Sequence, residues 1–163
     1  MTDNWDDPTL IGLWLEAQLH LAFSYLHAEG IVVSPSTLSP AWEVPPIVSL
    51  WHAATLMKDP KSVWVIVGDL PSDYIPGAWA HSGREAIRVI AQRWLRLSEL
   101  MIAGRSDSNL MIGDSEEWPQ LGPLLRARAV LLLEWSDDDD YWPYDAELAH
   151  AAERAQREFV LYP

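Results

Sequence analysis

Residues 62–75 read SVWVIVGDLPSDYI, and this stretch decides the fold. Its first half is an apolar, β-branched run typical of a buried strand, and the run ends at Gly68. A second strand-like run, IVSLWHAATLM (residues 47–57), precedes it and is joined to it by KDPK (residues 58–61). Two neighbouring strands with a short Asp-Pro turn predict an antiparallel hairpin.

Helical periodicity precedes the hairpin. Asp7 followed by Pro8 is a typical helix start, because aspartate caps the first turn and proline suits the first helical position. A helix is therefore predicted over about residues 8–29, ending at Gly30. The apolar residues that recur along it at helical spacing are Leu10, Leu13, Trp14, Ala17, Leu21 and Tyr25.

Three further helices are predicted after the hairpin. Ser82 and Glu85 form a capping box that opens a helix running to about Gly104. The run over residues 122–140 is apolar nearly all round, which predicts that it is the most buried helix. A last, alanine-rich helix is predicted over residues 145–159, with its first residue as the cap.

The segments between these elements are predicted to be irregular. Residues 31–46 are rich in proline, residues 68–81 contain two prolines and two glycines, and residues 136–145 form an acidic loop. The order α-β-β-α-α-α predicts one small α+β domain over residues 1–163. We expect a β-hairpin or small antiparallel sheet packed with about four helices.

The charge of the chain is strongly negative, with 24 acidic against 11 basic residues and a net charge of -13. Residues 1–57 contain no Lys or Arg at all. Nucleic acids and anionic membranes are disfavoured as partners, because both are bound mainly through Lys and Arg. A basic protein partner suits this charge. No apolar run reaches the ~20 residues of a membrane span, and the N-terminus lacks a secretory signal, so we expect a cytoplasmic protein.

Tryptophan is unusually common, with ten residues spread evenly along the chain. A buried indole needs a partner for its N–H, whereas an exposed one often anchors an interface. The even spread predicts a Trp-rich core with some rings at the surface.

The densest charge lies at residues 137–140, where four aspartates follow the apolar run. Adjacent carboxylates repel one another and must be solvated or neutralised by a cation or a basic partner. At a helix C-terminus they also oppose the macrodipole, which favours positive charge. A solvated acidic linker is the alternative interpretation. With the neighbouring aromatic rings, the candidate partner-binding residues are Trp135, Asp137, Asp138, Asp139, Asp140, Tyr141, Trp142 and Tyr144.

The turn after the strand carries a second group of acids, Asp69 and Asp73, which suit either acid–base chemistry or a turn. Known calcium loops place acids at alternate positions and close with a glutamate, which is absent here. Aspartate beside proline ordinarily bonds to its own backbone, so we interpret the pair as structural. A pocket built around this loop would contain His52, Asp69, Asp73, Tyr74 and Arg84.

Motifs for other chemistry are missing from the sequence. Cysteine is absent, and there is no Gly-x-Ser-x-Gly elbow, glycine-rich phosphate loop or HExxH motif. A zinc site would need distant residues such as His52, His81 and His150. We therefore expect no cofactor and no metal.

Three segments together resemble a known family: VWVIVGDLPSDYI (residues 63–75), HSGREAIRVIAQRW (residues 81–94) and LLLEWSDDDDYW (residues 131–142). They resemble an uncharacterised bacterial family of small proteins, a domain of unknown function with a strand, a Gly-Asp-Leu-Pro-Thr-Asp-Tyr turn and an Arg-Glu-Ala helix start. The resemblance covers roughly residues 42–145, and Ser72 replaces the threonine. It implies a single domain and carries no catalytic assignment. By analogy, some small acidic bacterial proteins are immunity proteins for secreted toxins.

Two functions from different classes follow from these patterns. The leading hypothesis is a non-enzymatic binding protein, in its most concrete form an immunity or antitoxin-like inhibitor, with an acidic aromatic surface around residues 134–147. The alternative is a small enzyme or small-molecule-binding domain with a pocket at the GDLPSDY loop. A convergent polar cluster would favour the alternative, and an exposed acidic patch would favour the inhibitor.

Overall fold

The structure is a computed structural model that describes residues 3–104, 116–143 and 157. This part of the chain contains three α-helices and four strands in one antiparallel sheet, so the protein is a small α+β domain. The helices are α1 (Pro8–Ala28), α2 (Gly83–Ile102) and α3 (Trp118–Asp137). The strands are β1 (Ser39–Val44), β2 (Val48–Ala54), β3 (Ser62–Gly68) and β4 (Asp73–Pro76), in the sheet order β1-β2-β3-β4. Short 3₁₀ helices cover Pro35–Thr37, Gly77–Trp79 and Asp139–Tyr141.

The predicted hairpin forms the centre of the sheet. Strands β2 and β3 pair antiparallel along their whole length, with Leu50 opposite Ile66 and Trp51 opposite Val65. Both strands are mostly buried, because helices cover both faces of the sheet. The hairpin prediction is therefore confirmed.

The two edge strands, β1 and β4, lie in stretches that were predicted to be irregular, so that prediction is wrong for them. Residues 31–46 were expected to be irregular, yet β1 occupies 39–44, and the expected irregular stretch 68–81 contains β4. Proline lacks a ladder N–H, and edge strands tolerate that loss. A register shift between Pro40 and Trp42 takes up the irregularity in β1.

The helices lie on opposite faces of the sheet. Helix α1 covers the face formed by residues such as Trp51, Val63 and Val65. Helices α2 and α3 complete a second apolar core on the other face, which includes Leu50 and Ile66. Each face of the sheet therefore contributes to its own hydrophobic core.

The two predicted helix starts are confirmed by their caps. The Asp7 carboxylate accepts a hydrogen bond from the Thr9 N–H at 2.9 Å. The Ser82 hydroxyl accepts from the Glu85 N–H at 3.1 Å, and the Glu85 carboxylate accepts from the His81 N–H at 2.7 Å. The first two contacts satisfy backbone donors that a helix leaves free in its first turn, and the third satisfies the N–H of the residue before the Ser82 cap.

The prediction that the run 122–140 is the most buried helix is wrong. Helix α2 has eight buried residues against six in α3, and Leu124 in α3 is 64% exposed. The reason is that α3 packs chiefly against α2, which leaves its other side facing solvent. Helix α1 likewise turns Gln18, Ala22 and Leu26 inward, while Leu13 and Leu21 of the predicted apolar stripe are exposed.

Two predictions fall on residues that the structure does not describe. The last helix, predicted over residues 145–159, lies outside the described residues except for residue 157, and the candidate binding residue Tyr144 also lies outside them. Of the helices within the described ranges, none combines the length and the apolar character that crossing a membrane requires.

Candidate partner-binding surface

Three of the four aspartates of the acidic run, Asp137–Asp140, lie on helical structure, and the fourth, Asp138, joins the two helices. Asp137 is the last residue of α3, and a 3₁₀ helix begins two residues later. The carboxylate of Asp138 accepts a hydrogen bond from the Asp140 N–H at 3.0 Å and so caps this short helix. Of the acidic loop predicted over 136–145, residues 136 and 137 instead belong to α3 and residues 139–141 to the 3₁₀ helix, and local hydrogen bonds hold their backbone.

Two arginines of α2 reach the C-terminal end of α3. Arg84 lies 2.9 Å from an Asp139 carboxylate oxygen, and Arg88 lies 3.2 Å from Asp137. Both guanidinium groups also donate to the Ser136 carbonyl oxygen, at 2.6 Å from Arg84 and 3.2 Å from Arg88. The positive charge that the α3 macrodipole favours is therefore supplied from α2.

Most of each carboxylate in the acidic run nevertheless remains accessible. The side chains of Asp137 and Asp139 are 76% and 87% exposed despite their ion pairs. Asp138 and Asp140 are also exposed, and within the described ranges neither contacts a cation. The result is a fixed, solvent-facing group of four carboxylates.

The aromatic residues beside the acidic run are largely structural. The ring of Trp142 is buried and stacks on Trp42 of β1, with centroids 4.7 Å apart and an interplanar angle of 9°. Its indole N–H donates to the Trp135 carbonyl, and the Trp42 indole donates to the Tyr141 carbonyl, both at 2.9 Å. Of the described aromatic residues beside the acidic run, Trp135 and Tyr141 stay partly exposed and stack on each other at 5.2 Å. These contacts anchor the acidic run to the edge of the sheet.

A cavity of about 570 Å³ lies beside this anchor, and we call it the edge cavity. It lies at the β1 edge of the sheet, because its lining comes from α1, β1, the start of α2 and the residues around the end of the acidic run. Desolvation raises the pKa of the Glu43 carboxyl above its ordinary value. The lining residues are Leu15, Pro40, Ala41, Trp42, Glu43, Gly83, Tyr141, Trp142 and Pro143.

The carboxylate of Asp73 in the other acidic region is used by the fold itself. One oxygen accepts a hydrogen bond from the Trp94 indole at 2.9 Å, and the other accepts from the Tyr74 N–H at 2.8 Å. Its side chain is 18% exposed, and Arg93 lies 3.9 Å away. Asp73 therefore ties β4 to α2.

Asp69 has different partners and a different environment. Its carboxylate is 81% exposed and lies 3.4 Å from Arg128 of α3. Its backbone N–H donates to the Ile47 carbonyl at 2.7 Å. The preceding Gly68 has φ 144°, and a Cβ there would lie 2.2 Å from that same carbonyl oxygen, so only glycine fits the turn.

The five residues of the alternative pocket do not converge. Asp73 points to α2, whereas the Tyr74 ring lies on the other face, 6.3 Å from Tyr25 of α1. His52 lies against the Trp64 ring at 4.5 Å, where burial lowers its pKa. Arg84 is held at the end of α3. In the described ranges no three acidic or histidine side chains are grouped closely enough to hold a metal ion.

Sequence reasoning named most of these residues but missed their long-range partners. It did not indicate that two arginines of α2, Arg84 and Arg88, pair with the acidic run. It also missed Trp42 and Glu43, which lie in the stretch expected to be irregular. The opposite charges of α2 and of the acidic run were the one available signal for the first of these contacts.

Comparison with known proteins supports one family. The chain matches the family described as "Domain of unknown function (DUF4826)" over residues 9–142. No curated protein and no solved structure matches the chain. The match confirms the resemblance to a family of unknown function and extends it through α1. This chain therefore belongs to the family of the domain of unknown function DUF4826.

Proposed function

We propose that this chain is a non-enzymatic binding protein that uses the acidic run, Asp137–Asp140, to bind a basic protein partner. The observation that carries the proposal is the exposure of all four carboxylates on a segment whose backbone is already fixed. A preorganised segment loses little conformational entropy when a partner binds, which favours affinity.

The ion pairs with α2 leave the acidic run available to a partner. Exposed pairs of this kind contribute only about 0–1 kcal/mol, because water and salt screen them. A partner's Lys or Arg can therefore replace Arg88 at small cost, whereas Arg84, whose side chain is 22% exposed and donates to the Ser136 carbonyl, stays in place beside Asp139. Asp138 and Asp140 contact no cation within the described ranges, so they are free to bind one.

The overall charge supports the same partner class. A net charge of -13 attracts a basic protein and accelerates its diffusional encounter. In the most concrete form of the proposal, the chain is an immunity-type inhibitor that covers the basic cleft of a toxin. The acidic run would then take the place of an anionic substrate.

The proposal is tested by affinity capture from a lysate of the source organism at low and high salt. The test variant carries Asp137→Asn, Asp138→Asn, Asp139→Asn and Asp140→Asn, since asparagine keeps the size and the capping ability of aspartate. A charge-matched control removes four other exposed carboxylates, by Asp3→Asn, Asp6→Asn, Glu16→Gln and Glu29→Gln.

We expect wild type and control to capture the same basic protein at low salt and the test variant to lose it. With that protein purified, the affinity of the test variant should fall about tenfold or more. Equal affinity in the test variant, or equal loss in the control, would contradict the proposal. In that case general charge, and not the acidic run, governs binding.

A further inference from the structure

We propose that the edge cavity is a binding site for the aliphatic ammonium side chain of a lysine. This inference rests on the proposed function, because the lysine would belong to the basic partner. The proposed function defines the binding surface only by the charge of the acidic run. The lysine site adds to that surface a specific pocket with one charged residue, Glu43.

The size and walls of the cavity suit such a side chain. Its volume of about 570 Å³ lies within the range of ligand-binding cavities. Leu15, Pro40, Tyr141, Trp142 and Pro143 contribute apolar surface to its walls, and polar atoms make up about half of the lining. A lysine carries four methylene groups below its charge, and these pack well on apolar surface while the ammonium group stays polar.

The polar groups of the cavity favour a cation. Glu43 is the single charged residue among its lining residues, and within the described ranges it has no hydrogen-bond or ion-pair partner for its carboxylate. The indole N–H groups of Trp42 and Trp142 already donate to carbonyl oxygens, so neither is free to bind an anion. Among the described residues, the cavity thus offers one carboxylate that has no partner.

The state of Glu43 gives a physical reason for binding. Glu43 remains exposed to solvent, yet the protein around it removes part of its hydration, which raises its pKa. A carboxylate that loses solvent without gaining a partner is destabilised in its charged form, and a bound ammonium group would reverse that effect. The nearest part of the sequence adds to the negative potential, because residues 1–57 contain no Lys or Arg.

The position of the cavity fits the proposed interface. Its wall from Tyr141 to Pro143 follows directly on the acidic run. A basic partner that lies over the four aspartates would therefore bring its neighbouring residues to the cavity.

The test uses N-acetyl-lysine N-methylamide as the probe, titrated into ¹⁵N-labelled protein. We expect shifts of the Trp42 and Trp142 indole N–H signals, and about tenfold weaker binding in Glu43→Gln. The norleucine analogue, which has the same aliphatic chain without the ammonium group, should bind much more weakly. Glu16→Gln, which removes an exposed acid outside the cavity, is the matched control and should bind like wild type.

A second variant, Gly83→Ala, tests whether the probe needs the space inside the cavity. A Cβ at Gly83 would lie 3.5–3.7 Å from Leu50, Trp142 and Ala41, so Gly83→Ala fills part of the space without a clash. It should weaken the lysine probe while leaving the fold intact. Unchanged probe binding in both Glu43→Gln and Gly83→Ala would overturn the inference, as would equal binding of the norleucine analogue. If the lysine site fails this test while the acidic-run variant still loses the basic partner, the proposed function stands without the lysine site. The failure of the lysine site can therefore be distinguished from the failure of the proposed function.

Discussion

The two acidic regions of this protein differ in how much of their bonding capacity the fold uses. Both carboxylate oxygens of Asp73 accept hydrogen bonds, and its side chain is 18% exposed. Asp139 is 87% exposed and has one surface ion pair. The comparison teaches that a carboxylate saturated by its own chain stabilises the fold, whereas one left exposed on a fixed backbone is available to a partner.

The largest loss of stability is expected for a substitution in the aromatic contacts that anchor the acidic run to the sheet. Trp142→Ala removes a buried ring that stacks on Trp42 and an indole N–H that binds the Trp135 carbonyl. We expect a loss of about 3–5 kcal/mol in the free energy of unfolding, measured by urea denaturation. The control is Trp79→Ala, because that ring is 52% exposed and should cost about 1 kcal/mol or less. Similar losses in both variants would show that the contacts of Trp142 stabilise the fold no more than those of an exposed tryptophan.

The next largest loss of stability is expected for Asp73, and it should exceed the loss for Asp69 in the same acidic turn. Asp73→Ala leaves the buried Trp94 indole N–H without its acceptor, so we expect a loss of about 2–3 kcal/mol on urea denaturation. Asp69→Ala removes only an exposed pair with Arg128 and should change stability by about 0.5 kcal/mol or less. An equal loss in both variants would contradict the assignment of Asp73 as the structural member.

The smallest expected effect is a pH-dependent contribution of Glu43 to the stability of the fold. Its pKa is raised in the folded protein, so folding favours the protonated carboxyl. Stability from this group is fully present below its unfolded pKa of about 4.3 and is lost as pH rises through the higher folded pKa. Relative to Glu43→Gln, wild type should therefore lose stability between about pH 3 and pH 7. Thermal unfolding of both proteins across this range tests the sign, and the opposite trend would show that Glu43 gains a partner in the folded state.

Local chemistry made part of the fold predictable from the sequence. The helix starts at Asp7 and Ser82 depend on contacts within three residues, and the central hairpin depends on a β-branched run next to a short turn. The edge strand β1 was missed because Pro40 is acceptable only where a ladder N–H is not needed.

The candidate site was less predictable because its contacts join distant parts of the chain. Arg84 and Asp139 are 55 residues apart, and Trp42 and Trp142 are 100 residues apart. Composition identified the acidic run as unusual, but no local pattern indicates that two arginines neutralise part of it. The edge cavity depends on the same long-range packing, so Glu43 could be recognised only in the folded chain.

The most direct test of the account is to map where a basic ligand binds. Decalysine is titrated into ¹⁵N-labelled wild type, the acidic-run variant with four asparagines, and the charge-matched control altered at residues 3, 6, 16 and 29. The account predicts amide shifts concentrated at residues 137–143 in wild type and control, and their loss in the acidic-run variant. Shifts spread over the whole acidic surface, or unchanged in the acidic-run variant, would contradict it.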